Sequence, residues 1–140
     1  MISVVPYEPK HLALLQVREE QKADVPKEIG GDAVTILNDE IPVAILGGYQ
    51  IVPGVLQAWS LISDYVKKIP IAFHREVKNF IGFIMKKYAI RRIQMSVVVG
   101  FQIGWRWASA LGFKPEGIMK QYGIDGRDYW LFAKVNHVVG

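Results

Sequence analysis

Two apolar runs bracket the most regular stretch of this sequence. Val77, Phe80, Ile81, Ile84, Met85 and Tyr88 recur at helical spacing, so they share one stripe of a helix that Pro70 opens. His74, Arg75, Lys78, Lys86 and Lys87 fall off that stripe. Before the helix, residues 55–63 read as a strand with Trp59 at its centre. After it, beyond Arg91-Arg92, residues 93–99 form a continuous apolar run that reads as a buried strand. A strand–helix–strand unit of this length joins parallel strands by a right-handed crossover. The chain must therefore accommodate one parallel pair with a helix on one face.

The remaining segments supply antiparallel strands. Residues 2–5 are a short apolar run that ends at Pro6, and Pro9 opens a short helix that buries Leu12 and Leu15. Residues 19–31 are polar, include Pro26 and end in Gly30-Gly31, which predicts a loop with room for a short helix in it and a candidate mobile segment. Residues 33–37 and 41–51 read as a hairpin turned at Asn38-Asp39-Glu40, and Pro53-Gly54 turns the chain into 55–63. Gly47-Gly48 inside a strand predicts a bulge or a close backbone approach. Residues 101–135 read as a short helix stopped at Gly112, a strand, an Asp125-Gly126 turn and a returning strand. The expected class is α+β, with a mixed, mostly antiparallel sheet flanked by helices, in one domain over residues 1–140.

Composition narrows the function. Apolar residues make up 51% of the 140, and charged residues 21%, which argues for a folded chain. The positive mean hydropathy predicts a homo-oligomer or a protein partner. There is no cysteine, so no disulfide or thiolate metal site is available. The three histidines, His11, His74 and His137, lack ligand spacing, and no metal is expected. No signal peptide or membrane span is evident, which places the protein in a cytoplasm. The net charge of +4 is unevenly spread: residues 67–92 carry Lys67, Lys68, Arg75, Lys78, Lys86, Lys87, Arg91 and Arg92 against Glu76 alone. A basic patch of this kind favours an anionic partner. Trp105 and Trp107 flank Arg106, but two residues apart they point to different sides of a helix, so nucleic acid is the weaker reading. The start of the helix at Pro70, preceded by Lys67 and Lys68 and followed by His74 and Arg75, is the place where a phosphate group would find free N–H donors.

The order of elements, and the residues Leu111-Gly112-Phe113-Lys114-Pro115-Glu116-Gly117, resemble the GCN5-related N-acetyltransferases (GNAT). The run Tyr122 to Leu131 through Asp125-Gly126-Arg127-Asp128-Tyr129 is similar to their last hairpin. The resemblance implies an acyl-CoA N-acyltransferase fold with acetyl-CoA as donor. Its pantetheine arm would add like a strand beside 55–63, at Ser60 and Ile62. Its pyrophosphate would sit at the helix start, on Ile69, Ile71 and Ala72, with Lys67, Lys68 and Arg75 adding charge. Asp64 and Tyr122 are the catalytic candidates, with Tyr65 and Tyr129 as further candidates for the acid.

The sequence also departs from the family pattern. In place of its glycine-rich loop stands Lys67-Lys68-Ile69-Pro70-Ile71-Ala72. The position of the family's tyrosine acid is Ala108, and that of its asparagine is Phe101. This pattern resembles small GNAT-like proteins of tailed bacteriophages, including the gene-13 family of T7-type phages. That narrower resemblance implies a non-catalytic virion or assembly protein, located in the host cytoplasm or the virion, as the alternative to an acetyltransferase.

Overall fold

The computed structural model describes residues 1–135, so His137 lies outside the described residues. In chain order the elements are β1 (Ile2–Pro6), α1 (Pro9–Leu14), a 3-10 turn (Glu19–Asp24), β2 (Asp32–Asn38), β3 (Ile41–Val52) and β4 (Val55–Ile62). A second 3-10 turn (Asp64–Lys68) leads into α2 (Pro70–Tyr88). Then come β5 (Arg92–Val98), α3 (Gln102–Ala110), β6 (Lys114–Met119) and β7 (Tyr129–Val135). The seven strands form one sheet in the order β1-β2-β3-β4-β5-β7-β6. Every neighbouring pair is antiparallel except β4 with β5, which are parallel as the crossover requires.

Helix α2 forms where its stripe predicts, and that stripe decides which face of the sheet it covers. Phe73, Phe80 and Ile84 are buried against Leu56, Ile62, Ile93, Val97 and Phe132. Trp107 of α3 stacks on Phe73 with ring centroids 4.1 Å apart. The opposite face is smaller, with Leu15, Ile45 and Leu61 packed beside Tyr7, Leu12 and Trp59. Helix α2 ends at Ala89, whose left-handed backbone (φ 51°) lets its N–H reach the Met85 carbonyl. Gly47 is a close approach rather than a bulge: a Cβ there would lie 2.1 Å from the Trp59 ring across the β3–β4 pair.

The last hairpin is wider than the sequence implies. β6 stops at Met119 and β7 starts at Tyr129, so Asp125-Gly126 does not join them as a tight turn. Residues 120–128 instead form a loop with its own hydrogen bonds. Gly126 N–H donates to the Gly123 carbonyl at 2.9 Å, and Gln121 N–H donates to the Asp128 carboxylate at 2.9 Å. These bonds compete with continued strand pairing, so Asp125-Gly126 turns only the tip of the loop.

β4 and β5 pair over three residues only, Val55 to Gln57 against Arg92 to Gln94. Beyond Gln57 and Gln94 the two strands diverge. β5 stays paired with β7 along its whole length, and β4 stays with β3. The sheet therefore opens into a V between Ala58–Ile62 on one side and Met95–Val98 on the other, and α2 starts beyond the end of β4. This V is the feature that positions the site.

Candidate functional site: the V between β4 and β5

The wide end of the V meets the N-terminus of α2. Ser63 caps the intervening 3-10 turn, its hydroxyl accepting the Tyr65 N–H at 3.2 Å. The same turn uses the Ile69 N–H, which donates to the Val66 carbonyl at 3.2 Å. Ile69 therefore has no N–H to offer an anion, a correction to the donor set expected from the sequence. The intrahelical bonds of α2 begin with Phe73 N–H to the Ile69 carbonyl at 2.9 Å. Pro70 has no N–H, which leaves Ile71 and Ala72 as the open donors of the first turn. Ile71 is 81% exposed, so its side of the helix start faces solvent.

The nearby cations are engaged elsewhere. Lys67 lies 3.8 Å from Asp64, Arg75 lies 3.4 Å from Glu76, and the Lys68 ammonium sits over the Tyr65 ring at 5.4 Å. Asp64 itself is held by Arg18 at 3.3 Å and by Lys67. It lines a groove with Leu12, Tyr65 and Lys68 that is separate from the V. The structure thus does not bring Asp64 together with Tyr122.

Tyr122 instead borders a cleft of about 670 Å³ over the central strands. The cleft is lined by Gln57, Trp59 and Ser60 of β4, by Met95 and Ser96 of β5, and by Asp24, Glu28, Tyr122 and Tyr129. The Tyr129 hydroxyl donates to the Asp24 carboxylate at 2.5 Å. Burial first, and Asp24 second, push the Tyr129 phenol far above its ordinary value, so it stays protonated. The Tyr122 ring meets Tyr129 edge-on at 5.6 Å. The Arg127 guanidinium lies 3.7 Å from Asp24. The V therefore opens towards a protonated phenol, a carboxylate and aromatic walls. That set can hold an amine, accept its proton at the carboxylate and donate a hydrogen bond to a leaving group.

Under this cleft, between the splayed strands, a second cavity of about 90 Å³ is lined by Ala58, Ser60, Phe73, Val77, Val97, Phe101 and Trp107. It is a narrow apolar channel on the α2 side of the V. Ala108 is fully buried in the core, so no side chain there can reach the cleft without repacking. Phe101, at the start of α3, carries the Arg18 guanidinium over its ring at 5.1 Å.

Three residues of the site carry no signal in the sequence. Arg18, Gln21 and Asp24 lie in and just before the polar stretch that reads as a loop. A short 3-10 helix does form there, over Glu19–Asp24, and its bonds to Ser60 and Ile62 on one side and to Arg127 and Tyr129 on the other carry it across the V. Nothing in the spacing of a single glutamine marks it as the partner of a strand edge 39 residues away. Among the described residues no group of His, Asp or Glu side chains is placed to hold a metal ion, and no helix is long and apolar enough to cross a membrane.

No family model and no curated protein sequence matches this chain. Solved structures do. Ard1 from Thermoplasma volcanium superposes with a TM-score of 0.75 at 9% identity, covering 96% of this chain and 97% of that one. A GNAT-family acetyltransferase from Bacillus anthracis gives 0.71 at 12% identity, covering 96% and 94%. RimL, a ribosomal-protein acetyltransferase in complex with coenzyme A, gives 0.65 at 18% identity, covering 74% of this chain and 61% of that one. The fold is that of the acyl-CoA N-acyltransferases: a seven-stranded, mostly antiparallel sheet with flanking helices. At these identities the likeness is one of fold.

Proposed function

We propose that this protein is an N-acyltransferase that moves an acetyl group from acetyl-CoA to an amine. The observation that carries this reading is the splay of β4 from β5 after Gln57 and Gln94, with the start of α2 at its wide end. A strand edge with no neighbouring strand presents alternating N–H and C=O groups that an extended, amide-bearing arm can take up in place of local side-chain partners. The open N–H groups of Ile71 and Ala72, with the helix dipole, offer a place for the diphosphate. Lys67, Lys68 and Arg75 then add charge near that end. The narrow apolar channel suits the thioester end of the arm, and the wider cleft suits the acceptor.

In this reading Ser60 and Ile62 hold the arm through their backbone groups. The acceptor amine would enter from the cleft beside Asp24 and Glu28, attack the thioester carbonyl while giving a proton to one of these carboxylates, and form the amide as the carbon–sulfur bond breaks. The thiolate would leave with a hydrogen bond from Tyr129 and take up the proton the amine gave, and Tyr122 would shape the wall beside it. Asp64 lies in another groove and is left with a role in orienting Arg18. Acetyl-CoA supplies the activated acyl group; the chain's own contribution is placement, exclusion of water and the relay of one proton.

The alternative, a non-catalytic GNAT-like protein of a phage virion or assembly pathway, is favoured by one feature. Three edge-facing groups of β4 are already bonded to the chain's own residues. Calorimetric titration with acetyl-CoA, followed by thiol-release assays against amines and amine-bearing peptides, separates the two. Binding with turnover supports the transferase; no heat and no thermal shift at millimolar ligand removes it.

A further inference from the structure

Residues 18–24 cross the V from one side to the other. On the β4 side, the Gln21 carboxamide makes two bonds of opposite polarity. Its Nε2 donates to the Ser60 carbonyl at 2.7 Å, and its Oε1 accepts the Ile62 N–H at 2.9 Å. Only one orientation of the amide satisfies both. The Arg18 N–H donates to the Ile62 carbonyl at 2.8 Å. A glutamine side chain and one peptide N–H thus do for this edge what a neighbouring strand would do. On the far side, Arg127 Nη1 donates to the Glu20 carbonyl at 3.1 Å, and Tyr129 donates to Asp24.

We infer that this segment is an exchangeable strap: it occupies the β4 edge in the free protein and must leave Ser60 and Ile62 for an amide-bearing ligand arm to bind there. The inference rests on the acyl-CoA reading above for the identity of that arm. The groups in question are Ser60 C=O, Ile62 N–H and Ile62 C=O, and a ligand amide and the strap cannot both hold them. Release is inexpensive on three counts. No residue of Glu19–Asp24 is buried, and Arg18, the buried member of the segment, uncovers only the Phe101 ring it lies over. Each strap bond is replaced by a ligand or water bond, with a small net change. The Arg18 guanidinium, 4% exposed, leaves its Nη1 buried with no hydrogen-bond partner, a cost relieved if the segment swings into water.

The test pairs a ligand-free readout with a binding readout, on the full chain. Gln21→Ala removes the strand-mimicking amide from an unburied position, and a thermal melt confirms its fold. In the free variant the Ile62 amide is expected to exchange with deuterium faster than in the wild type. Coenzyme A, measured by calorimetry, is expected to bind the variant roughly five- to tenfold more tightly or beyond, the scale of two modest competing hydrogen bonds lost. Arg127→Ala, which unties the other end without touching β4, is expected to shift affinity the same way by less. Equal or weaker coenzyme A binding by Gln21→Ala would overturn the strap. Faster Ile62 exchange with no coenzyme A binding to either protein would overturn both the competition and the acyl-CoA reading. Binding that is equal or weaker but measurable leaves the acyl-CoA reading standing.

Discussion

Gln57 and Gln94 are the last residues that β4 and β5 share, and their side chains are bonded across the pair, Gln94 Nε2 donating to Gln57 Oε1 at 3.1 Å. Gln94 also accepts from Arg92 Nε at 2.9 Å, and Arg92 holds Glu116 of β6 through both terminal nitrogens, at 2.6 and 3.1 Å. The apex of the V is thus tied by polar side chains from β4 across to β6. Strand pairing ends where that tie sits. The divergence beyond it is built into the sheet.

The start of α2 is the proposed anion site, and its most exposed residue provides a test. Ile71→Asp places a carboxylate at a helix N-terminus, where it is neutral or mildly stabilising. The same charge repels a diphosphate. Thermal stability is expected to hold or rise while coenzyme A affinity falls about tenfold or more, measured by melting and calorimetry on one preparation.

The Tyr129 proton bears on stability and, in the proposed function, on the chemistry. The phenol is pushed up by burial and by Asp24, so the unfolded chain loses that proton first as pH rises. The stabilising contribution is complete below about pH 10 and is lost as pH climbs beyond it. Tyr129→Phe is expected to flatten this alkaline decline in urea midpoints. It is also expected to slow acyl transfer by about a hundredfold, with a smaller effect on KM.

Asp32 ties the start of β2 to the end of α2. It accepts from Lys87 at 2.7 Å and from the Tyr88 hydroxyl. The Lys87 bond first, and the Tyr88 bond second, hold its carboxyl below the ordinary value. Its stabilising effect is therefore present above about pH 4 and lost as pH falls through the depressed value. Asp32→Asn is expected to lower the urea midpoint at neutral pH, and the gap from wild type is expected to close in acid.

Gly47→Ala drives a methyl group into the Trp59 ring. Trp59 lines the wider cleft, so the ring must move into it or the strands must part. The expected cost is about 1–3 kcal/mol by denaturant unfolding, with a changed tryptophan emission.

Much of this architecture is legible in the sequence because it depends on local periodicity. The stripe from Val77 to Tyr88, Pro70 at its start and the apolar run at 93–99 fix one parallel pair and its covering helix. Gly47 is marked by its position within a strand. The width of the last hairpin is hidden because Asp125-Gly126 is a strong turn signal whether it closes a hairpin or only a loop tip. The Ile69 N–H is lost to a 3-10 turn that no periodicity marks. Gln21 and Asp24 are illegible for a further reason: their partners, Ser60, Ile62 and Tyr129, come from strands far along the chain, and single polar residues in a loop carry no register.

The most direct test is a titration of isotope-labelled protein with acetyl-CoA, followed through backbone amide resonances. Shifts are expected to concentrate at residues 60–62 along β4 and at Ile71 and Ala72, with residues 18–24 responding as the strap leaves. Unperturbed amides at those positions with acetyl-CoA at millimolar concentration would contradict the proposed function.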